Sequence, residues 1–475
     1  MKRNLGHRLH AVVGILGHAL SRIIVRSDKC SVSKPSPLLY FLLFFVASTW
    51  LPGCARAFPE PAIEKFPDIE SVDRNSYPEV AGHLQKLMAQ ENTISDYPLV
   101  EGNNVQLLVD GPMAFEAMFA AIENAAHHIH AETFIIDNDR IGRMFADILI
   151  DRSAAGVEVK LIFDAIGGLG ADKDFLERLR KNGVQLYKYN PVNPVEDWRI
   201  WRINSRHHRK ILVVDGKIAF TGGLNISKVY SSSSFSPPSA RKEDQDGWRD
   251  THVSITGPAV EQLQELFIEL WKENDSDAVF PAGEYFPSLE KTGSDYVRVI
   301  ESTFESSESE IYDVYLAAIS NAKDRIWITQ GYFSPNDVFI RELKRTAARG
   351  VDVRLLLPGL TDSWITINSS RSHYQELLET GVRIFEREDA LQHAKTAVVD
   401  GIWSTVGSSN LDYRSFLHAN EANVVVWGNE FAAQMENLFL ADQEMNREIL
   451  LDDWRKRPFY RRLIESFASM FAYWL

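Results

Sequence analysis

From Leu99 to the C-terminus the chain alternates amphipathic runs with short β-branched runs that close on Gly or Pro. Met118 to Ala126 carries its apolar residues at helical spacing and predicts a helix. Gly156-Val-Glu-Val-Lys-Leu-Ile-Phe and Gly350-Val-Asp-Val-Arg-Leu-Leu-Leu read as entries into buried strands. Helix and strand in alternation predict α/β layers on a central sheet. The pattern also repeats, because Ala120-Ala-Ile-Glu-Asn124-Ala aligns with Ala317-Ala-Ile-Ser-Asn321-Ala. A period of nearly two hundred residues is too long for a solenoid. The expectation is two fused α/β domains with pseudo-twofold symmetry, each a central mixed sheet flanked by helices. They would cover 99–280 and 292–450, with a linker at 281–291 where Pro, Gly, Ser and charges break the pattern.

The repeat extends to a chemical cassette. His208-Arg-Lys210-Ile-Leu-Val-Val-Asp215 and His393-Ala-Lys395-Thr-Ala-Val-Val-Asp400 share the spacing His-x-Lys-x4-Asp. Each runs on to a small-residue turn ending in Asn, Gly222-Gly-Leu-Asn225 and Gly407-Ser-Ser-Asn410. Each then meets an acid opening an apolar strand, Asp250-Thr-His-Val-Ser-Ile and Glu421-Ala-Asn-Val-Val-Val. On an extended strand His and Lys two apart share a face. A neutral imidazole attacks an electrophile and a charged one donates a proton, so two copies at one centre can divide these roles. Two lysines and two asparagines supply fixed donors to a phosphate whose charge shifts during transfer. The arrangement calls for no metal and no cofactor. A lone His-x-Lys would be a solvated strand end and either acid alone ordinary surface charge; the matched positions argue otherwise. His127, His128 and His130 precede a buried strand without spaced carboxylates or cysteines and are given no role.

At these residues the chain resembles the phospholipase D superfamily, and Arg206-His207-His208-Arg209-Lys210 with His393-Ala-Lys-Thr-Ala-Val-Val-Asp-Gly is similar to its bacterial cardiolipin synthase branch. The resemblance runs from about Leu99 to the C-terminus. It takes in Gln330-Gly-Tyr332-Phe333-Ser-Pro335, Gly407-Ser-Ser-Asn-Leu-Asp412-Tyr-Arg414-Ser and Gly247-Trp-Arg-Asp250; His207 departs from the Asn or Asp expected there. The resemblance implies a catalytic set of His208, Lys210, Asp215, His393, Lys395 and Asp400, with Asp215 and Asp400 the more structural members. His208 would attack the phosphorus of phosphatidylglycerol, and His393 would protonate the departing glycerol and then activate the next hydroxyl. Asn225 and Asn410 would join the lysines around the phosphoryl oxygens. Asp250 and Glu421 would orient the imidazoles, within or across the halves. A second phosphatidylglycerol as acceptor yields cardiolipin, whereas water yields phosphatidic acid; the same residues serve both. A nuclease of the superfamily and a noncatalytic lipid-binding protein are the other readings.

Charge bears on that choice. The net charge is −14, and residues 1–54 hold seven Lys/Arg against Asp28 alone. Removing these from the totals of 51 basic and 65 acidic residues leaves 44 and 64, a body of −20. That disfavours a nucleic-acid partner. The basic leader, the apolar run from Leu38 to Leu51 and then Pro52-Gly53-Cys54 read as a signal or lipoprotein-type export segment, with Cys54 a candidate for lipidation, or as an uncleaved anchor. Either places the body in the cell envelope, facing the periplasm or the outside. Residues 55–98 read as a spacer. Cys30 and Cys54 are the two cysteines, so the catalytic body can form no disulfide of its own. Residues 451–475 read as a basic amphipathic helix, with Leu463, Ile464, Phe467, Met470, Phe471 and Trp474 at helical spacing. It would lie on a membrane surface of anionic lipid or pack its apolar side onto the second domain. The segment Tyr230-Ser-Ser-Ser-Ser-Phe-Ser-Pro-Pro-Ser reads as a lid or an inert insertion.

Overall fold

The computed structural model describes residues 82–191, 205–235, 247–304 and 309–474. The expected export segment, its Cys54 and the first part of the 55–98 spacer lie outside them. The first half contributes strands β1 (Val100–Val109), β2 (His128–Thr133), β3 (Glu158–Asp164), β4 (Gln185–Tyr189), β5 (Arg206–His207), β6 (Ile211–Val214), β7 (Ile218–Gly222) and β8 (Thr251–Thr256). The second contributes β9 (Asp295–Ser302), β10 (Arg325–Thr329), β11 (Phe333–Ser334), β12 (Asp352–Pro358), β13 (Arg383–Arg387), β14 (Thr396–Val399), β15 (Trp403–Gly407), β16 (Leu411–Asp412), β17 (Ala419–Trp427) and β18 (Arg447–Ile449).

Sixteen of these form one sheet, in the order β18-β13-β12-β10-β14-β15-β17-β9-β1-β8-β7-β6-β2-β3-β4, with β5 paired to β17 off this path. The order is a palindrome about the β9–β1 junction, where Val100 faces Val297 in antiparallel register. Around that junction β8 matches β17, β7 matches β15 and β6 matches β14. Each half is mixed: β2 and β3 are parallel, as are β10 and β12, while β6 and β14 run antiparallel to their neighbours. Thus the pseudo-twofold sheet expected from the repeat is present, and the two halves share it.

The β-branched runs form strands because both faces are covered. Helices Val260–Asn274 and Asn429–Glu444 cover one face from opposite halves. Leu263, Leu266, Phe431, Met435 and Phe439 pack there with Val213, Val253, Val299, Val398 and Val424 in one core. On the other face the first half packs Phe115, Met118, Phe119 and Ile122 of helix Asp110–Glu123 against Phe145 and Leu149 of helix Arg140–Ala154. The end of the segment read as a spacer is also folded onto the body. Helix Gly82–Ile94 buries Leu84, Leu87 and Met88, and its Glu91 accepts the indole N–H groups of Trp403 and Trp427 at 2.6 and 3.0 Å.

Asp215 and Asp400 are explained at this level. Each follows a cassette strand and opens an Asp-Gly turn with both residues at positive φ, +55° and +63° at 215–216 and +50° and +70° at 400–401. The turn closes with Lys217 N–H donating to Val214 O at 3.0 Å and Ile402 N–H to Val399 O at 3.2 Å, and its two left-handed residues suit it to twisted strands. The Asp215 carboxylate accepts the backbone N–H groups of Ala126, His127 and His128 at 2.7–3.0 Å; Asp400 accepts those of Lys323, Asp324 and Arg325 at 2.9–3.0 Å. They pin the entry of β2 and β10 to the far end of the cassette strand, about 16 Å along the chain from the lysines. Asp400→Ala orphans three amides and is expected to lower unfolding stability by roughly 3 kcal/mol in denaturant titration. Its effect on turnover at temperatures where the fold persists should be much smaller than that of either histidine variant.

Candidate active site

Each cassette histidine is carried into the opposite half by a short parallel pairing. β5 runs beside Ala419 and Asn420 at the start of β17, with Arg206 N–H donating to His418 O at 3.0 Å and His208 N–H to Asn420 O at 2.9 Å. In the second copy Gln392 pairs with Arg249, with Arg249 N–H donating to Leu391 O and His393 N–H to Arg249 O, both at 2.8 Å. The histidines therefore lie just before β6 and β14 rather than on them, and His and Lys do not sit on one extended strand. Lys210 Nζ instead bonds His208 O at 2.6 Å, and Lys395 Nζ bonds His393 O.

This crossing decides which acid meets which ring. His208 Nδ1 lies 3.0 Å from both Glu421 carboxylate oxygens, and His393 Nδ1 lies 2.7 Å from Asp250 Oδ2. Both pairs join the two halves and engage Nδ1, leaving Nε2 of each ring outside these contacts. The acids are held in turn: Thr251 N–H donates to Asp250 at 2.8 Å and the Ser408 hydroxyl to Glu421 at 2.5 Å. The Gly223/Ser408 difference between the turns follows. A Cβ on Gly223 would come within 2.0 Å of Asp250 Oδ1, whereas the second copy uses that place for the Ser408 hydroxyl.

The electrostatics are not symmetric. Burial would raise Asp250, but His393 and Lys395 more than offset it and hold the carboxyl below its ordinary 3.8. Burial pushes Glu421 up to about 7 despite Lys210 and Ser408. Burial, then Lys210 and Lys395, hold His208 well below 6.5. Burial and Lys395 lower His393, with Asp250 acting in the opposite sense. Burial lowers Lys210 to about 7 and Lys395 to about 8. One imidazole thus faces a firmly ionised carboxylate and the other a carboxyl that titrates near neutrality.

His208 opens on a cavity of about 240 Å³ lined by Phe134, Arg206, Tyr332, Ser363, Thr366, Asn410, Asp412, Arg414 and Glu421 among others. Tyr332 also stands edge-on to His393, with ring centroids 6.4 Å apart, so the second histidine lies behind this wall of the cavity. Asn410 Oδ1 is buried without a partner among the described residues, and its amide is placed to turn toward a ligand oxygen. Asn225 is engaged differently: Ile135 N–H donates to its Oδ1 at 3.0 Å, and its Nδ2 donates to Tyr230 Oη at 3.1 Å. Tyr230, fully buried and pushed well above 10 by burial, lies 3.3 Å from His393 Nδ1. The start of the Ser-rich insertion therefore reaches a catalytic-cassette histidine; residues 236–239 of it lie outside the described residues. Sequence reasoning missed Tyr230, Trp248, Phe134 and Ser408. Phe134 and Trp248 carry only packing chemistry, Tyr230 opens a serine run with no mark of its burial, and Ser408 has no counterpart hydroxyl in the first turn. His128 and His130 are buried, with His130 stacked on Phe267 at 4.3 Å, and no cluster of three metal ligands occurs among the described residues.

A family model described as cardiolipin synthase, PLD-like domain, matches residues 118–271 and 315–443, one match in each half. The chain belongs to this phospholipase D-like cardiolipin synthase family. A cardiolipin synthase of Alkalihalophilus pseudofirmus is 32% identical over 416 residues, covering 87% of this chain and 80% of that one. One of Geobacillus thermodenitrificans is 34% identical over 422 residues, covering 87% and 79%. A cardiolipin synthase 2 of Bacillus cereus is 36% identical over 364 residues, covering 76% and 68%. The crystal structure of a Haemophilus influenzae phosphatidylserine synthase superposes with a TM-score of 0.59 at 14% identity, over 81% of this chain and 98% of that one, and shows the shared fold.

The crossed pairs predict that Asp250→Asn and Glu421→Gln each reduce turnover at least about a hundred-fold while leaving the far-UV circular dichroism spectrum unchanged, since each releases one imidazole from its orienting acid. The lysines add a pH prediction. Their pKa values are lowered, so their positive charge is present at acid pH and lost as pH rises through about 7 and about 8. The pH profile of kcat/KM should fall as pH rises through about 7 to about 8 for the free enzyme.

Proposed function

We propose that this chain is a phosphatidyltransferase of the cardiolipin synthase type, working through a phosphohistidine. The observation that carries the reading is the crossed placement of two imidazoles, each with its own buried acid: His208 lines the cavity, and His393 and the two buried lysines stand close enough to act on its charge. Its support is the likeness over most of the chain to curated cardiolipin synthases.

In this mechanism phosphatidylglycerol places its phosphodiester against Lys210, Lys395 and the Asn410 amide, with Asn225 acting at one remove by fixing Tyr230 beside His393. Lysine charge and fixed donors stabilise the equatorial oxygens as charge redistributes. His208, held neutral and with Nδ1 turned to Glu421, attacks phosphorus through Nε2. The bond from phosphorus to the glycerol headgroup oxygen breaks, and His393 gives that oxygen its proton. Asp250 works against the burial and Lys395 that lower His393, and so holds the proton that this ring gives up and takes back. Glycerol leaves and a second phosphatidylglycerol enters. His393 now removes the proton from its headgroup hydroxyl, which attacks phosphorus and breaks the bond to His208, giving cardiolipin and restoring both rings.

Incubating the protein with phosphatidylglycerol vesicles and chelator, with mass spectrometry of the products, tests the reading. Cardiolipin and glycerol in equal amounts, absent with His208→Ala, are expected. Phosphatidic acid as the main product would make the enzyme a hydrolase, and cleavage of DNA without lipid turnover would make it a nuclease.

The place of action proposed is the membrane surface of the cell envelope, with the body on the periplasmic or outer side. Support comes from the basic leader and the apolar run before Cys54. Among the described residues no helix is long and apolar enough to cross a membrane. Protease added to intact spheroplasts should digest the body; full protection would place it on the other side. Cys54→Ala should abolish incorporation of labelled acyl chains if this cysteine carries the anchor.

A further inference from the structure

The C-terminal helix is packed the unexpected way round. Helix Phe459–Ser469 buries Glu465 and Ala468 against the body and holds Ile464 half-buried, with Glu465 paired to Arg457 at 2.9 Å. Its large apolar side chains face solvent: Phe459 is 74% exposed, Leu463 62%, Phe467 54% and Met470, just past its end, 75%. Steps of four, four and three residues put these four on one side of a helix. An amphipathic helix in a globular protein turns that side inward. Packing of the apolar side onto the second domain, one of the two readings of this segment, is thus not what the structure shows.

Three observations indicate what covers this face. First, charge: residues 451–475 carry Arg455, Lys456, Arg457, Arg461 and Arg462 against Asp452, Asp453 and Glu465, a surplus of two positive charges in a chain of net −14; Arg455, Lys456 and Arg457 are ion-paired with Glu379, Asp453 and Glu465. Arg461 and Arg462 are exposed on the same helix. Second, continuity with the active site: the helix packs against helix Trp364–Ser372, and the two line a groove of about 580 Å³ that includes Trp364, Ile367, Tyr460, Arg461 and Ile464. Trp364, 57% exposed, stands between Ser363 and Thr366, which line the cavity at His208; Leu360, just before them, is 49% exposed. Third, an exposed aromatic and aliphatic face flanked by a basic residue, here Arg462, is a composition found in helices that lie in the headgroup region of anionic bilayers.

We infer that helix Phe459–Ser469 and the neighbouring Trp364 form a docking face that lies in the headgroup layer of an anionic bilayer and sets the mouth of the active-site cavity at the lipid surface. The inference rests on the lipid-substrate reading above and extends it to how the substrate is reached. The apolar side chains supply insertion, and the arginines supply attraction to anionic headgroups, which salt screens.

The test uses the full chain bound to vesicles of phosphatidylglycerol and phosphatidylethanolamine that contain a lipid with a photoactivatable carbene precursor in its acyl chain. After illumination, peptide mapping is expected to find adducts at Leu463, Phe467 and Met470. Adducts confined to other parts of the chain would overturn the proposal. A second arm compares wild type with Leu463→Glu/Phe467→Glu, two exposed positions whose change leaves the core intact. Turnover of vesicle phosphatidylglycerol should fall roughly ten-fold or more, while turnover of a short-chain phosphatidylglycerol dissolved as monomers stays unchanged. Equal losses on both substrates, or no loss on vesicles, would refute the docking role. Absence of turnover by wild type on both substrates would instead defeat the transferase reading, and the adduct map would still decide where lipid meets the protein.

Discussion

The active site depends on the exchange of two short chain segments between the halves of one sheet. β5 leaves the first half to pair with β17, and the strand-like entry to His393 pairs with Arg249 ahead of β8. Without these parallel pairings His208 would not meet Glu421, nor His393 meet Asp250. The β9–β1 junction supplies the rigid frame, and Arg249 fastens the exchange, with its buried guanidinium bonded to Asp442 of the second half at 2.8–3.0 Å. A buried ion pair of this kind adds little net stability but strongly disfavours other arrangements once its geometry is set. Two copies of one fold thereby make a single centre that neither half could form alone.

Symmetry of backbone does not impose symmetry of chemistry. The first copy supplies Gly223 and an aspartate, the second Ser408 and a glutamate, and the carboxyl pKa values move in opposite directions from their ordinary values. The two-step transfer proposed above would use this division, with one ring attacking while the other carries the proton out and back. The two lysines are buried beside the histidines, and burial lowers their pKa values to about 7 and about 8; an anionic substrate bound there would favour their charged form.

Periodic burial and the twin cassettes made the sheet, its duplication and the identity of the cassette residues legible in the sequence. The strands at 158–164 and 352–358 follow the β-branched runs closely, and Asp215 and Asp400 were placed at strand ends by spacing alone. Contacts between residues distant in sequence were beyond it. Whether Glu421 serves the near or the far histidine is fixed by a two-residue strand with no propensity signal of its own. Tyr230 beside His393 was likewise hidden, because a tyrosine opening a serine run carries no mark of its burial. The C-terminal helix was legible as amphipathic but not in its orientation, which is settled by the fit of Ile464, Glu465 and Ala468 to the body.

The central claim is that the two cassettes make one centre in which His208 alone carries the phosphatidyl group. It is tested most directly by trapping the intermediate. The His393→Ala variant, which retains the nucleophile but lacks the proton carrier, is mixed with a phosphatidylglycerol analogue whose leaving group needs no protonation. The mixture is quenched in alkali to preserve the phosphorus–nitrogen bond, and the adduct is mapped by mass spectrometry. One phosphatidyl group per chain on His208 is predicted, with none in His208→Ala. An adduct on another residue, or one on His393 when the same analogue meets His208→Ala at an equal rate, would contradict the division of roles and point to two equivalent half-sites.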